Sequence, residues 1–160
     1  MTLVEDNIQL VRNVIDALNT GDISRVSDFI SPNYLNHESQ MDPVRSKMRG
    51  PQEFIDTVMN MRNAFSDLQY ELTDSIASNE KVISIVSVRG KHTGSFFGFI
   101  PPTGNKLSYQ AVHIFSIYDG RIVEHKAIRD DLALMYQLGV VNASSPQYEN
   151  FLKQWKGLKS

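Results

Sequence analysis

Four histidines, His37, His92, His113 and His125, are the side chains of this sequence best suited to move a proton near neutral pH. There is no cysteine, which removes thiolate nucleophiles, disulfide staples and cysteine-ligated metals. No serine sits in a nucleophile elbow. Gly90-Lys91-His92-Thr93-Gly94 lacks the Gly-x-x-x-x-Gly-Lys spacing of a phosphate loop. The histidines form no His-x-His or His-x-x-x-His pair, so the spacing leaves a metal centre as the minority reading. Lysine plus arginine is 16 and aspartate plus glutamate is 18, a net charge of −2, which excludes nucleic-acid binding by bulk charge. No apolar run is long enough for a membrane span. The start, Met1-Thr2-Leu3-Val4-Glu5-Asp6-Asn7, lacks the basic opening of a secretory signal, so the expectation is a soluble, cytoplasmic protein.

Elements must bring those histidines together. Ile8, Val11, Val14, Ile15 and Leu18 recur at helical spacing, and Asn19-Thr20-Gly21-Asp22 ends that helix. A short second helix carries Val26, Phe29 and Ile30 and stops at Ser31-Pro32-Asn33. Residues 37–50 read as a loop. Pro51 opens a third helix with the stripe Phe54, Ile55, Val58, Met61 and Phe65. The period then changes to two. Strands are predicted around Leu68–Leu72 and over 81–92, 107–118 and 121–129, with a hairpin turn at Asp119-Gly120. A last helix runs from Asp130 or Asp131 to Leu138. Three helices, four strands and a helix argue an α+β fold, a cone-shaped curved antiparallel sheet closed by the N-terminal helices. Residues 1–141 form that domain. Residues 142–160 form an amphipathic helical extension with Tyr148, Phe151, Leu152 and Trp155 on one face.

Strand parity sorts the chemistry, since alternate residues share a face. Tyr109, Ala111, His113, Phe115 and Ile117 lie together, as do Val123, His125, Ala127 and Arg129. His92 shares a face with Val82, Ser84, Val86 and Val88 at the end of its strand. It either lines a pocket mouth or orders the loop that follows. Asn36 and His37, after Ser31-Pro32-Asn33, either reach the pocket or turn the chain. Asp130 and Asp131 read as helix caps. Ile83, Ile85, Val112 and Ile114 take the opposite face, an apolar surface that predicts a homodimer.

The order of several short segments resembles the SnoaL-like polyketide cyclases, a branch of the nuclear transport factor 2-like fold. These are Ala17-Leu18-Asn19-Thr20-Gly21-Asp22, Ser31 to His37, Gly50-Pro51, Gly90 to Gly94, Pro101-Pro102-Thr103-Gly104, Val112-His113-Ile114-Phe115, Asp119 to His125 and Tyr136 to Gly139. The resemblance spans about residues 5–139. It implies a cone, commonly a homodimer, and ring closure of a polyketide ester by intramolecular aldol addition without metal or cofactor. It also implies pocket roles for Asn36 and His113, and an entrance lined by Phe96, Phe97 and Phe99. The family's acid/base aspartate lies two residues beyond the histidine matched by His125, and that position is Ala127 here.

Three functions follow. In the first, His113 or His125 is a general base on a small hydrophobic carbonyl or ester compound, of cyclase, isomerase or hydrolase type. Asn36, His37, His92, Phe97, Tyr109 and Arg129 contact the ligand. In the second, the same pocket binds without catalysis. In the third, the chain acts as a dimeric interaction protein.

Overall fold

The structure, a computed structural model, describes residues 2–39 and 42–141. The proposed extension over 142–160 lies outside the described residues.

Helix α1 (Leu3–Thr20) opens with a capping box in which Thr2 and Glu5 satisfy each other's backbone N–H groups. Its buried stripe contains Val11, Val14, Ile15 and Leu18, the 3–4 spacing expected. The short helix α2 (Val26–Phe29) follows, then strand β1 (Ile30–Asn36). Helix α3 (Pro51–Ala64) starts with proline in its first turn. Strands β2 (Phe65–Ala77), β3 (Lys81–His92), β4 (Lys106–Tyr118) and β5 (Arg121–Arg129) come next, then helix α4 (Asp131–Gln137). The Asp130 side chain caps α4 by accepting from the Ala133 N–H.

The sheet order is β1-β5-β4-β3-β2. Four strands pair antiparallel, but β1 adds a fifth, parallel to β5. The second helix does end before Ser31-Pro32-Asn33 as expected, but the sequence reading is corrected in that Ile30 already belongs to a strand and Ser31-Pro32-Asn33 runs on within it. Pro32 hid the strand. Proline is tolerated only where no ladder N–H is needed, and β1 is an irregular edge whose register slips between Ile30 and Leu35.

The inner face of the sheet is largely apolar. Val82, Val86, Val88, Phe115 and Ile122 pack with the stripes of α1 and α3 in one core. The Asn19 side chain ties α1 to edge strand β2 in both directions. Its Nδ2 donates to the Tyr70 carbonyl at 2.9 Å and its Oδ1 accepts the Tyr70 N–H at 2.7 Å. Gly50 has φ +82°, and a Cβ there would meet the Pro32 carbonyl at 2.7 Å, so glycine lets α3 start hard against β1. Among the described residues, no helix is long and apolar enough to cross a membrane.

Candidate active site

Strands β4 and β5 pair so that His113 lies opposite Ala127 and Phe115 opposite His125, while β1 places Asn36 beside His125. This register puts three polar side chains on the inner face of an otherwise apolar wall. They form a continuous chain of hydrogen bonds. His113 Nδ1 lies 2.8 Å from His125 Nε2, and His125 Nδ1 lies 3.0 Å from Asn36 Oδ1.

The protons on this chain follow from its far end. Asn36 Oδ1 accepts the backbone N–H of Glu38 at 3.1 Å, and Asn36 Nδ2 donates to Glu53 Oε1 at 3.2 Å. The amide is therefore oriented with its oxygen toward His125. An oxygen can only accept, so His125 carries its proton on Nδ1 and its Nε2 is a lone pair. His113 must then donate from Nδ1. That leaves His113 Nε2 unprotonated, buried and, among the described residues, without a hydrogen-bond partner.

Burial keeps both rings neutral. Loss of water holds His113 down to about 4, with the Arg129 charge acting in the same direction. His125 lies well below its usual value for the same first reason, helped by the neighbouring His113, Arg129 and His37. Phe115 flanks the pair, with its ring 4.9 Å from His125 and 6.0 Å from His113.

Two donors stand on the same wall. Burial raises the Tyr109 phenol to about 12. The Tyr70 and Tyr109 hydroxyls interact with each other on this wall. Arg129 Nη1 pairs with Glu38 Oε2 at 2.8 Å, and its Nε with Asp131 Oδ1 at 3.0 Å. Burial works against the charged guanidinium, but the bond to Asp131 and the Glu38 carboxylate outweigh it. Glu38 Oε1 accepts the Ala127 N–H at 2.9 Å, filling the ladder position that β1 vacates where it turns away after Asn36.

The other proposed residues lie elsewhere. His37 Nε2 bonds Glu124 Oε1 at 2.6 Å, and Ser116 donates to the second Glu124 oxygen. The His37 bond holds the Glu124 carboxyl below its usual range. His92 is fully buried between Phe65 and Phe96. Its Nδ1 accepts the Thr103 backbone N–H at 3.3 Å and lies 3.0 Å from the Thr103 hydroxyl, so in this structure it orders the 93–105 loop. Phe97 is 57% exposed on that loop, stacked with Phe99. A cleft of about 310 Å³ between α1 and α2 is lined by residues that include Asn13, Asp16, Thr20 and Arg25, and contains none of this chemistry. Among the described residues, no three histidine or acidic side chains converge to hold a metal ion.

Sequence reasoning missed Glu38, Arg45 and Glu53. Arg45 Nη2 bonds Glu53 Oε1 at 2.6 Å and also donates to Thr57. The first turn of a helix favours an acid for dipole reasons alone, so Glu53 reads as capping.

Residues 8–138 match the sequence model of the SnoaL-like polyketide cyclases. The chain belongs to the SnoaL-like polyketide cyclase family. Among SnoaL-like relatives, the aklanonic acid methyl ester cyclase DnrD of Streptomyces peucetius is 33% identical over 134 residues, 82% of this chain and 90% of that one. The nogalonic acid methyl ester cyclase of Streptomyces nogalater is 30% identical over 129 residues, 79% of this chain and 92% of its own. Among solved structures, TsrD from Streptomyces laurentii superposes with a TM-score of 0.76 at 26% identity, covering 86% of this chain and 97% of its own. The SnoaL-like fold and its cyclase family thus agree with the α+β cone expected from sequence.

Proposed function

We propose that this protein closes a ring in a hydrophobic polyketide ester by intramolecular aldol addition, with His113 Nε2 as general base. The observation that carries this reading is the bare, buried lone pair on that nitrogen, left by the ordered protons of His125 and Asn36. The substrate C–H proton moves to His113 Nε2, and the C–H electron pair becomes an enolate. The enolate carbon attacks a second carbonyl carbon of the same molecule. The alkoxide formed there takes the proton back from His113, so the reaction is an isomerisation with no redox change and no cofactor. Tyr109 and Arg129 supply donors for the developing oxyanion. As the His113 cation forms, its Nδ1 proton shifts along the bond toward His125, which spreads the charge over two rings.

Turnover of aklanonic acid methyl ester and nogalonic acid methyl ester, followed by chromatography, tests this. The wild type should convert at least one, and His113→Ala should lose about 10²- to 10⁴-fold. Conversion of neither, or an unaffected His113→Ala, overturns it.

A second reading is binding without catalysis. The low basicity of His113 favours it, since a nitrogen near 4 is a better hydrogen-bond acceptor than base. Retention of either ester unchanged, with affinity lost in His113→Ala, would be its signature. In both readings we propose a homodimer formed through the outer sheet face.

A further inference from the structure

Glu53 is fully buried at the start of α3, the helix that also buries Phe54 and Val58. A buried ion pair contributes little net stability, because desolvating both charges offsets their attraction. The pair it forms with Arg45 is moreover incompletely satisfied. Among the described residues, Glu53 Oε2 and Arg45 Nε are both buried without a hydrogen-bond partner. A neutral, apolar side chain would fill this place at lower cost. The satisfied oxygen, Oε1, is the one that receives Asn36 Nδ2.

The consequence runs along the chain of bonds. A carboxylate on the amide side of Asn36 polarises that amide and makes Oδ1 a stronger acceptor for the His125 proton. We propose that Glu53 is the positioning residue of this centre: its carboxylate, fixed by Arg45, acts through Asn36 to strengthen the His125 Nδ1–H bond and to stabilise the cation that forms on the His113–His125 pair. This rests on the proposed role of His113 as base. Glu53 never touches substrate. Arg45 and Tyr34 are the charged and titratable groups facing Glu53, and His113, Arg129 and His37 face His125 beyond Asn36. Burial raises the Glu53 carboxyl above its usual range against the pull of Arg45, so it takes up its proton at higher pH than an exposed glutamate does.

Glu53→Gln keeps an oxygen for Arg45 and Asn36 but removes the charge. At pH 7 we expect kcat to fall at least about tenfold, equivalent to about 1.4 kcal/mol, with KM within about twofold. Wild-type kcat should fall as pH drops through the Glu53 titration, and Glu53→Gln should lose that limb and keep only the fall that protonation of His113 near about 4 produces. Independently of turnover, proton NMR of the ligand-free protein should show the His125 Nδ1–H resonance moving upfield in Glu53→Gln. An unmoved resonance, or parallel pH profiles, overturns the proposal. A moved resonance with a fully active His113→Ala leaves Glu53 in place and overturns the base. An inactive His113→Ala with an unmoved resonance does the reverse. If Glu53→Gln fails to fold, Glu53→Gln/Arg45→Met leaves no charge unpaired. It should show a smaller upfield move, and none overturns the proposal.

Discussion

The rings of His113 and His125 lie within 16° of a common orientation and share one proton position, Nδ1 of the first against Nε2 of the second at 2.8 Å. His125 thus selects the tautomer of His113. Replacing His125 with Phe keeps a flat ring beside Phe115 but removes the acceptor. The proton of His113 then distributes over both nitrogens. We expect kcat to fall about 10- to 100-fold, with the circular dichroism melt little changed. Wild-type turnover in His125→Phe would sink the tautomer argument.

Tyr109 and Arg129 should act on the oxyanion rather than on binding. Tyr109→Phe removes one hydroxyl and leaves the ring in place. It should lower kcat about 10- to 100-fold with KM nearly constant, the pattern of an interaction made in the transition state. Arg129→Met should do the same and also release Glu38, whose carboxylate then keeps, among the described residues, the Ala127 N–H alone. A rise in KM with unchanged kcat in both variants would assign them to ground-state binding instead.

The inner wall was legible because period-two alternation needs no tertiary information. Tyr109, His113, His125 and Arg129 could be placed on shared faces from strand parity alone. The partner of His125 was harder. Asn36 meets it 89 residues away in sequence, on a strand whose proline made it read as a stop. Glu38 has no local signal at all, since its role is to replace a missing strand neighbour of Ala127. The side chain of His37 illustrates the limit differently. Adjacency groups it with Asn36, but the chain enters a 3-10 turn there and His37 bonds Glu124, the neighbour of His125 in β5.

Gly94 should be the least replaceable glycine. A Cβ at this position would lie 1.9 Å from the Asn63 carbonyl oxygen, on backbone that cannot rotate away. The N–H of Gly94 donates to the Ala64 carbonyl at 2.9 Å, so the 93–105 loop starts locked to the end of α3. Gly94→Ala should cost about 3 kcal/mol or more, as overpacking against fixed backbone does. Urea denaturation measures it. A shift under about 1 kcal/mol would mean the loop moves freely.

The outer sheet face carries Ile83 and Ile85, each 38% exposed, opposite Ile114 and Val112, with Ile128 68% exposed at the side. Among the described residues no helix covers them. Sedimentation equilibrium at micromolar concentration should give a dimer, and Ile83→Lys/Ile85→Lys should give a folded monomer. A wild-type monomer would remove the dimer from this picture.

Acid should destabilise the protein through the buried imidazoles. An unfolded histidine titrates near ~6.5, whereas His113 in the folded chain is held to about 4 and His125 lies well below 6.5. Their contribution to stability is therefore complete above ~6.5 and is lost as pH falls toward the folded values, because the unfolded chain binds the protons first. For His113 the loss is on the order of 2–3 kcal/mol by linkage, and His125 adds in the same direction. Glu53 works oppositely. Its folded pKa is raised, so the folded state takes up that proton first as pH falls. Comparing urea midpoints at pH 7.5 and 4.5 between wild type and His113→Phe/His125→Phe cancels most of the Glu53 contribution. The wild type should lose more stability than the variant across this window. Equal losses in the two proteins would show that the imidazole pair is not held neutral by the fold.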